Sequence, residues 1–277
     1  MGIIHVKESN QRYSSLSLFS FCPFSTHSME KNSLKMVSGA FYIPKDRMYN
    51  PKGEDAHFIC KEKQTVGVAD GVGRWIEKGV DSGLYARKLM SNFAAALGNY
   101  PTMENNQNID LKKVLQKAYS KTDNEGSSTT CILTLRENSL HAANVGDSGF
   151  MLIRDRAEFY KSPIQIKGFN VPYQLGKSAD KPSVAQISTL PVQRGDVVIL
   201  GTDGLFDNLF TSDIQNLVNL LSGAQPGQVA RAVAEHAYYN SIDKLAATPF
   251  AKASFADGRV HYGGKKDDIT VIVSFII

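Results

Sequence analysis

Short apolar runs that end in glycine, proline or polar turns alternate along the chain with longer segments of helical periodicity. The short runs predict β-strands at residues 39–44, 54–60, 67–70, 129–136, 140–145, 150–153, 197–203 and 269–277. Apolar residues three or four positions apart predict helices at about residues 82–98, 110–118, 211–222 and 227–239. We expect Asp81 or Ser82 to cap the first helix, Gly98 to end it, and Asp110 to cap the second.

The order of these elements predicts the fold class. The polar turns at residues 137–138 and 146–149 are short enough to join successive strands as hairpins, so a meander of antiparallel strands is expected there. Residues 160–195 contain scattered Pro and Gly with little alternation, which predicts an irregular surface excursion. Because strand runs and helix pairs come in separate blocks, we expect an α+β domain whose antiparallel sheets are covered by helices.

The first 36 residues show no periodicity and are expected to form a tail before a single domain at residues 37–277. This tail is interpreted either as a disordered leader or as a targeting segment. Residues 14–33 are rich in Ser and Phe and poor in acids, which weakly resembles an organelle transit peptide. No apolar run approaches the roughly 18 residues that a membrane-spanning helix needs.

Charge and cysteine content narrow the possible partners and compartments. The net charge is +4, and residues 1–37 hold four basic against two acidic side chains, so half of the excess lies outside the domain. No basic stripe remains, which argues against a nucleic-acid partner. Three widely spaced cysteines predict a reduced intracellular compartment without a disulfide framework. This would be the cytosol or, if the tail is a transit peptide, the mitochondrion or plastid.

Two strands end in an aspartate followed at once by glycine, at Asp70 and at Asp203. Further acids stand at strand starts or in Gly-rich turns: Glu54, Asp55, Asp147, Asp267 and Asp268. Carboxylates that crowd at one sheet rim repel one another unless cations neutralise them. An all-oxygen set suits Mg²⁺ or Mn²⁺, and the chain offers no His/Cys set for zinc. Two such ions roughly 3.5–4 Å apart would activate a shared water for phosphoester hydrolysis without a covalent intermediate.

Each acid taken alone has a plainer interpretation, because Asp before Gly is most often a turn residue. Asp207, Asp213 and Asp257 are assigned to turns. Cys131 and Arg136 stand in a Cys-x₄-Arg spacing inside an alternating strand, one residue short of the Cys-x₅-Arg loop of tyrosine phosphatases. Cys131 is therefore expected to be a buried core residue.

Six ordered motifs resemble those of the protein phosphatase 2C family, the metal-dependent serine/threonine phosphatases. They are Glu54-Asp-Ala, Val68-Ala-Asp-Gly-Val-Gly, Gly126-Ser-Ser-Thr, Asn144-Val-Gly-Asp-Ser, Gly201-Thr-Asp-Gly-Leu-Phe-Asp-Asn and Lys266-Asp-Asp-Ile-Thr. The resemblance covers about residues 37–277. The residues within these motifs are similar to those of one eukaryotic branch of the family. That branch includes a mitochondrial phosphatase linked to coenzyme Q biosynthesis and many plant relatives.

The resemblance implies a role for each matched acid. Asp70 would bridge two Mn²⁺ or Mg²⁺ ions, with the Gly71 carbonyl on one of them. Asp203 and Asp267 would hold the other ion, and Glu54 would contribute directly or through water. These four acids would thereby position a bridging water for direct attack on phosphoserine or phosphothreonine.

The resemblance also implies the surroundings of the site. Asp55 and Asp147 match family acids near the ions or near a weaker third ion. The implied fold is a central antiparallel β-sandwich with helix pairs on both faces and the ions in a cleft at one end. Residues 160–195 fall where the family has a variable flap. The implied substrate is a phosphoprotein, and a monomer is expected.

Three positions depart from the family pattern. Val72 stands where many members have a His that protonates the leaving group, and Asn50 where many have a phosphate-gripping Arg. Lys52 or Arg47 could replace that Arg, although a Lys acts as a point charge. Arg74 stands where the branch has Gly, and it could assist phosphate binding or crowd the site. These losses leave an alternative open: a catalytically weak, phosphatase-like protein that binds a phosphoprotein or regulatory partner.

Overall fold

A computed structural model describes residues 33–46, 48–100 and 109–277, and antiparallel strands make up most of its centre. The strands of the described residues are β1 (Met36–Ile43), β2 (Asp55–Cys60), β3 (Thr65–Asp70), β4 (Ser127–Ser128), β5 (Thr130–Arg136), β6 (Ser139–Val145), β7 (Gly149–Arg154), β8 (Ala157–Lys161), β9 (Ile166–Gly168), β10 (Val171–Pro172), β11 (Leu175–Gly176), β12 (Gln186–Pro191), β13 (Val197–Gly201) and β14 (Ile269–Ile276). The α-helices are α1 (Ser82–Gly98), α2 (Leu111–Ser120), α3 (Asp203–Phe206), α4 (Thr211–Leu220), α5 (Pro226–Ile242) and α6 (Pro249–Ala256).

Ten of these strands form two five-stranded antiparallel sheets. One sheet has the order β1-β14-β13-β7-β8 and the other the order β12-β6-β5-β3-β2. Alternation along β5 shows how they stack: Cys131 and Leu133 join the apolar core between the sheets, whereas Ile132 faces the core under α1 and α2. Helices α4 and α5 pack on the other sheet. The predicted α+β sandwich with helix pairs on both faces is thereby confirmed, and Cys131 is a buried core residue.

The predicted N-caps of the first two helices and the predicted end of the first helix are confirmed. Asp81 caps α1, accepting a hydrogen bond from the Leu84 N–H at 3.2 Å. Asp110 caps α2 through the Lys113 N–H at 3.0 Å. Helix α1 ends at Gly98 as predicted.

The predicted meander is wrong at its second turn. Strand β6 pairs with β5 and β12, whereas β7 pairs with β13 and β8, so residues 146–148 cross from one sheet to the other. Strand β7 is buried along nearly its whole length, which makes its apolar pattern compatible with either sheet. The crossing places Asp147 at the end of the sandwich.

The predicted irregular excursion at residues 160–195 is wrong for part of its length. Strand β12 pairs with β6 from Gln186 to Pro191 and forms an edge of its sheet. Its residues are mostly exposed, so burial imposes little alternation on its sequence. The remainder contains the short β9–β10 hairpin, which lies beside the site described below.

Among the described residues, Leu34 is buried and β1 starts at Met36, slightly before the predicted domain boundary at residue 37. The predictions for residues 1–32 and for Arg47 lie outside the described residues. No helix in the described ranges is long and apolar enough to cross a membrane.

Candidate metal centre

A cavity of about 170 Å³ opens at the end of the sandwich where β3 and β13 finish. Most of the predicted site residues line it: Glu54, Asp70, Gly71, Arg74, Asp147, Asp203 and Asp267. They come from the residue before β2, from the end of β3 and the 3₁₀ helix that follows it (Gly73–Lys78), from the sheet crossing, from the start of α3 and from the loop before β14. The fold therefore gathers acids that are as many as 213 positions apart into one cleft, here called the acidic cleft.

Two predicted residues do not line the acidic cleft. Asp55 is the register partner of Asp70 but is buried behind the cleft, where its Oδ2 accepts hydrogen bonds from the hydroxyls of Thr202 (2.8 Å) and Thr270 (2.7 Å). It therefore ties β2 of one sheet to residues of the other. Lys52 lines a different cavity, and its carbonyl accepts a hydrogen bond from the Tyr42 hydroxyl at 3.2 Å.

Asp203 does not end a strand as predicted but begins α3, one residue after the cap Thr202. Gly204 follows because a Cβ there would lie 2.0 Å from the carbonyl oxygen of Asp268. The glycine thus lets α3 approach the chain entering β14, which brings Asp203 and Asp267 to the same cavity.

The adjacent acids Asp267 and Asp268 have different surroundings. Asp267 lines the acidic cleft, whereas Asp268 is buried and holds the surrounding loops. Its carboxylate accepts hydrogen bonds from the backbone N–H groups of Lys45 (2.7 Å) and Glu54 (2.8 Å) and from the Tyr42 hydroxyl (3.1 Å). Asp268 therefore positions Glu54 at the cleft.

Two lysines that the sequence analysis did not select lie among these carboxylates. The Lys265 ammonium donates hydrogen bonds to Asp203 and to Asp207 Oδ2, the latter at 2.8 Å. It also lies 3.1 Å from Asp267 Oδ2. The Lys45 ammonium lies 3.2 Å from Glu54 Oε2 and 3.6 Å from Asp267 Oδ1. The assignment of Asp207 to a simple turn is therefore wrong, since its carboxylate binds Lys265.

Asn208 fixes the position of Lys265. Its buried side-chain amide donates to the Lys265 carbonyl at 2.9 Å, and its Oδ1 accepts from the Lys265 N–H at 2.9 Å. The same amide donates to the Gly204 carbonyl at 2.9 Å. The loop before β14 is thereby joined to α3, and the ammonium is held beside Asp203 and Asp207.

Burial and mutual repulsion raise the pKa values of several acids in the cleft. Burial is the largest cause at Asp70, whose pKa lies well above the ordinary value, and the charge of Asp203 adds to it. Burial raises the pKa of Asp147 to about 8 and that of Asp207 to about 7. At Asp203 burial acts in the same direction, but the charge and hydrogen bonds of Lys265 outweigh it and lower the pKa.

These shifts predict how stability depends on pH in EDTA. Between pH 6 and 7.5 a carboxyl such as Asp147, whose pKa is about 8, is mostly protonated in the folded chain but ionised in the unfolded chain. The folded state then binds more protons, so the free energy of unfolding falls as pH rises, by up to about 1.4 kcal/mol per pH unit for each such carboxyl. Urea unfolding in EDTA across this range measures the slope. Asp147→Asn should reduce it, and an unchanged slope would contradict the assignment.

The oxygens of the acidic cleft fit a hard divalent cation. In the described residues Asp147 Oδ1 and Asp203 Oδ1 are buried and accept no hydrogen bond. Asp55 Oδ1, behind the cleft, is likewise buried and accepts no hydrogen bond from the described residues. Unpaired carboxylate oxygens are the ligands that Mg²⁺ and Mn²⁺ bind. No three His, Cys, Asp or Glu side chains of the described ranges already surround one point as a bound ion would require. Lys265 lies among three of the acids instead.

Comparison with known proteins shows which protein family the chain resembles. The family profile described as Stage II sporulation protein E matches residues 61–274. "Probable protein phosphatase 2C 80" of Arabidopsis thaliana is 45% identical over 258 residues, which cover 92% of this chain and 61% of that protein. Among solved structures, the photosystem II phosphatase PBCP superposes with a TM-score of 0.80 at 31% identity, over 87% of this chain and 99% of that one.

A more distant structure shows the same fold. It is the catalytic domain of the serine/threonine protein phosphatase PstP in complex with two manganese ions, with a TM-score of 0.58 and 16% identity over 88% of this chain and all of that one. The chain spans only about three-fifths of the length of its Arabidopsis relative. The sandwich and its acidic cleft define a phosphatase-like architecture, and the profile match and the identities show the family. The chain belongs to the protein phosphatase 2C family.

Proposed function

We propose that the chain is a metal-dependent protein serine/threonine phosphatase that acts on phosphoproteins. The observation that carries the proposal is the convergence of Glu54, Asp70, Asp203 and Asp267 on one cleft in a chain of this family. Mn²⁺ or Mg²⁺ is the proposed cofactor, with two ions per site and a weaker third near Asp147. The monomeric state and the compartment stay predictions from the sequence.

The ligands proposed for the ions are Asp70, with the Gly71 carbonyl, and Asp203, Asp267 and Glu54. Divalent ions at such a site lower the pKa of water and neutralise phosphoryl oxygens. The chain's part is to hold the acids at the end of a rigid sandwich, where Asp268 and Asn208 fix the two loops that carry Glu54 and Lys265. Lys265 hydrogen-bonds Asp203 Oδ2 and lies beside Asp267 Oδ2, so an ion that used these same oxygens would displace the ammonium, whereas Asp203 Oδ1 has no hydrogen-bond partner among the described residues.

Arg74 is the proposed contact for the substrate phosphate. It lines the acidic cleft, its side chain is exposed, and within the described residues it makes no hydrogen bond or ion pair. Its guanidinium can bind a phosphate through two parallel hydrogen bonds. Lys52 is not supported as a phosphate ligand, because it lines a different cavity; Lys45 is the lysine that lines the cleft.

Arg74→Gly should raise the KM for a phosphothreonine peptide about tenfold while kcat changes less, because a charge-assisted contact to phosphate contributes roughly 1.5–3 kcal/mol. Steady-state kinetics in Mn²⁺ measure both constants. Lys78→Ala removes a cation from the same 3₁₀ helix, Gly73–Lys78, outside the cleft lining and serves as the matched control. An unchanged or lower KM for Arg74→Gly would mean that Arg74 does not bind the phosphate.

A catalytically weak binding protein is the second candidate. Val72 lines the acidic cleft and supplies no proton donor where many family members have His, and Asn50 is not among the residues of the cleft. Loss of both groups lowers turnover but leaves the acids that would hold the ions. A phosphoprotein could then bind without rapid hydrolysis.

Hydrolysis of para-nitrophenyl phosphate by the full chain separates the two candidates. The enzyme predicts turnover that rises with added Mn²⁺ or Mg²⁺ and stops in EDTA. A folded chain that shows a Mn²⁺-induced rise in Tm but no turnover with either metal would support the binding protein and overturn the proposed activity.

A further inference from the structure

A second cavity, of about 210 Å³, lies directly beside the acidic cleft. Asp147, Asn170 and Asp203 line both of them, so the two spaces have a common wall. Unlike the cleft, this cavity is walled mainly by apolar side chains. We name it the apolar subsite.

Three separate segments build the apolar subsite. Phe206 of α3 forms one wall, Phe250 and Ala253 of α6 another, and the segment around the β9–β10 hairpin contributes Ile166 and Phe169. The rings of Phe169 and Phe250 are in contact, with centroids 5.3 Å apart. The cavity is therefore held between a helix and the hairpin that also borders the acidic cleft.

The hairpin leaves large apolar side chains in water at this point. Ile164 is 52% exposed and Ile166 is 43% exposed, and both line the subsite. On the acidic-cleft side of the same hairpin, Val171 is 37% exposed. A cluster of exposed apolar groups rimmed by charges marks a binding surface more often than an inert one.

We propose that the apolar subsite binds an apolar side chain of the phosphoprotein substrate, from a residue next to or near the phosphorylated Ser or Thr. The proposal rests on the proposed phosphatase function and adds a sequence preference to it. Neighbouring residues of an extended peptide lie only about 3.8 Å apart, so the common wall is within reach of residues next to a phosphorylated residue whose phosphate occupies the cleft.

Size and charge favour an aliphatic or aromatic occupant. A volume of 210 Å³ exceeds the roughly 150 Å³ of a Leu/Ile/Phe-lined cavity that accepts benzene. An acidic side chain would meet Asp147, Asp203 and Asp207 in the wall. A basic one would meet Lys161, whose ammonium lies 5.3 Å from the centre of the Phe206 ring, and two of the acids in the wall, Asp203 and Asp207, are already paired with Lys265.

The test uses the full chain in Mn²⁺ with phosphothreonine peptides that carry Leu, Ser or Lys in turn at each of the two positions on either side of the phosphorylated residue. At one of these positions we expect kcat/KM for Leu to exceed that for Ser about tenfold, which corresponds to burying one apolar side chain in part. Ala253→Phe should fill the subsite and bring the Leu/Ser ratio close to one. Lys252→Phe places the same ring on the neighbouring residue, outside the subsite lining, and should keep the ratio.

Each other outcome contradicts the inference. Equal kcat/KM for Leu and Ser at every position, a preference for Lys, or a Leu/Ser ratio that survives in Ala253→Phe would overturn it. If Ala253→Phe fails to fold, Ile166→Ser, at a half-exposed position, replaces it and should lower the same ratio. Turnover of para-nitrophenyl phosphate by the parent chain reports separately on the proposed function, which stands if only the peptide preference is missing.

Discussion

Asp70→Ala should lower metal-dependent turnover of para-nitrophenyl phosphate about a thousandfold or more. Asp70 is the ligand proposed for both ions, so its loss would remove metal-based charge stabilisation of several kcal/mol, and each 1.36 kcal/mol is a factor of ten in rate. The same variant should be at least as stable as the parent in EDTA, because burial and neighbouring acids raise the pKa of Asp70 and ionised Asp70 is unfavourable in the folded chain. Its Mn²⁺-induced rise in Tm should be much smaller.

Asp257→Ala is the matched control, since Asp257 is an exposed acid that pairs with Arg259 and does not line the cleft. It should retain both turnover and the Mn²⁺-induced rise in Tm. Turnover of Asp70→Ala within tenfold of the parent, in a folded sample, would contradict the assignment of Asp70 to the metal centre.

The second large effect is expected from Lys265→Met. In EDTA the substitution leaves Asp203, Asp207 and Asp267 without their shared cation, and breaking a buried ion pair from one side costs about 3–5 kcal/mol. With Mn²⁺ the loss should be smaller, because the ion neutralises the same carboxylates. Without a competing ammonium the apparent Kd for Mn²⁺ should be tighter, by about tenfold or more. Urea unfolding and calorimetric titration with Mn²⁺ measure the two quantities.

Lys266→Met is the control for this result, since Lys266 is the exposed neighbour of Lys265 and makes no ion pair within the described residues. It should leave stability in EDTA and the affinity for Mn²⁺ unchanged. If Lys265→Met were as stable as Lys266→Met in EDTA and bound Mn²⁺ with the parent's affinity, Lys265 would not be the internal cation of the acidic cleft.

The sequence was informative where a local rule sets the structure. The helix caps Asp81 and Asp110 follow from hydrogen bonds within four residues, and both are confirmed. The apolar run to Asp70 followed by Gly predicted an acid at a sheet rim, and β3 ends there. Period-two patterns predicted most strands of both sheets.

What depends on distant partners was not predictable in the same way. The apolar pattern of β7 suits either sheet, so its pairing with β13 in place of β6 required tertiary contacts. Asp267 and Asp268 look alike in sequence, and only the contacts of Tyr42 and Lys45 distinguish the structural acid from the one in the cleft.

The sequence signals singled out acids alone and placed Asp207 in a turn, so its pairing with Lys265 was not predicted. Two lysines directly before the paired acids at residues 267–268 were the available signal. The 58 positions between Asp207 and Lys265 gave no local indication of their hydrogen bond. Asp55 shows the opposite case: it matches a family motif, yet it is buried behind the cleft, on the hydroxyls of Thr202 and Thr270.

The most direct test of the metal centre is anomalous diffraction at the manganese edge from crystals grown in MnCl₂. We predict manganese peaks inside the acidic cleft, with carboxylate oxygens of Asp70, Asp203 and Asp267 at ligand distance and the Lys265 ammonium moved off Asp203. A well-ordered cleft without a manganese peak, in which Lys265 still bridges Asp203 and Asp207, would contradict it.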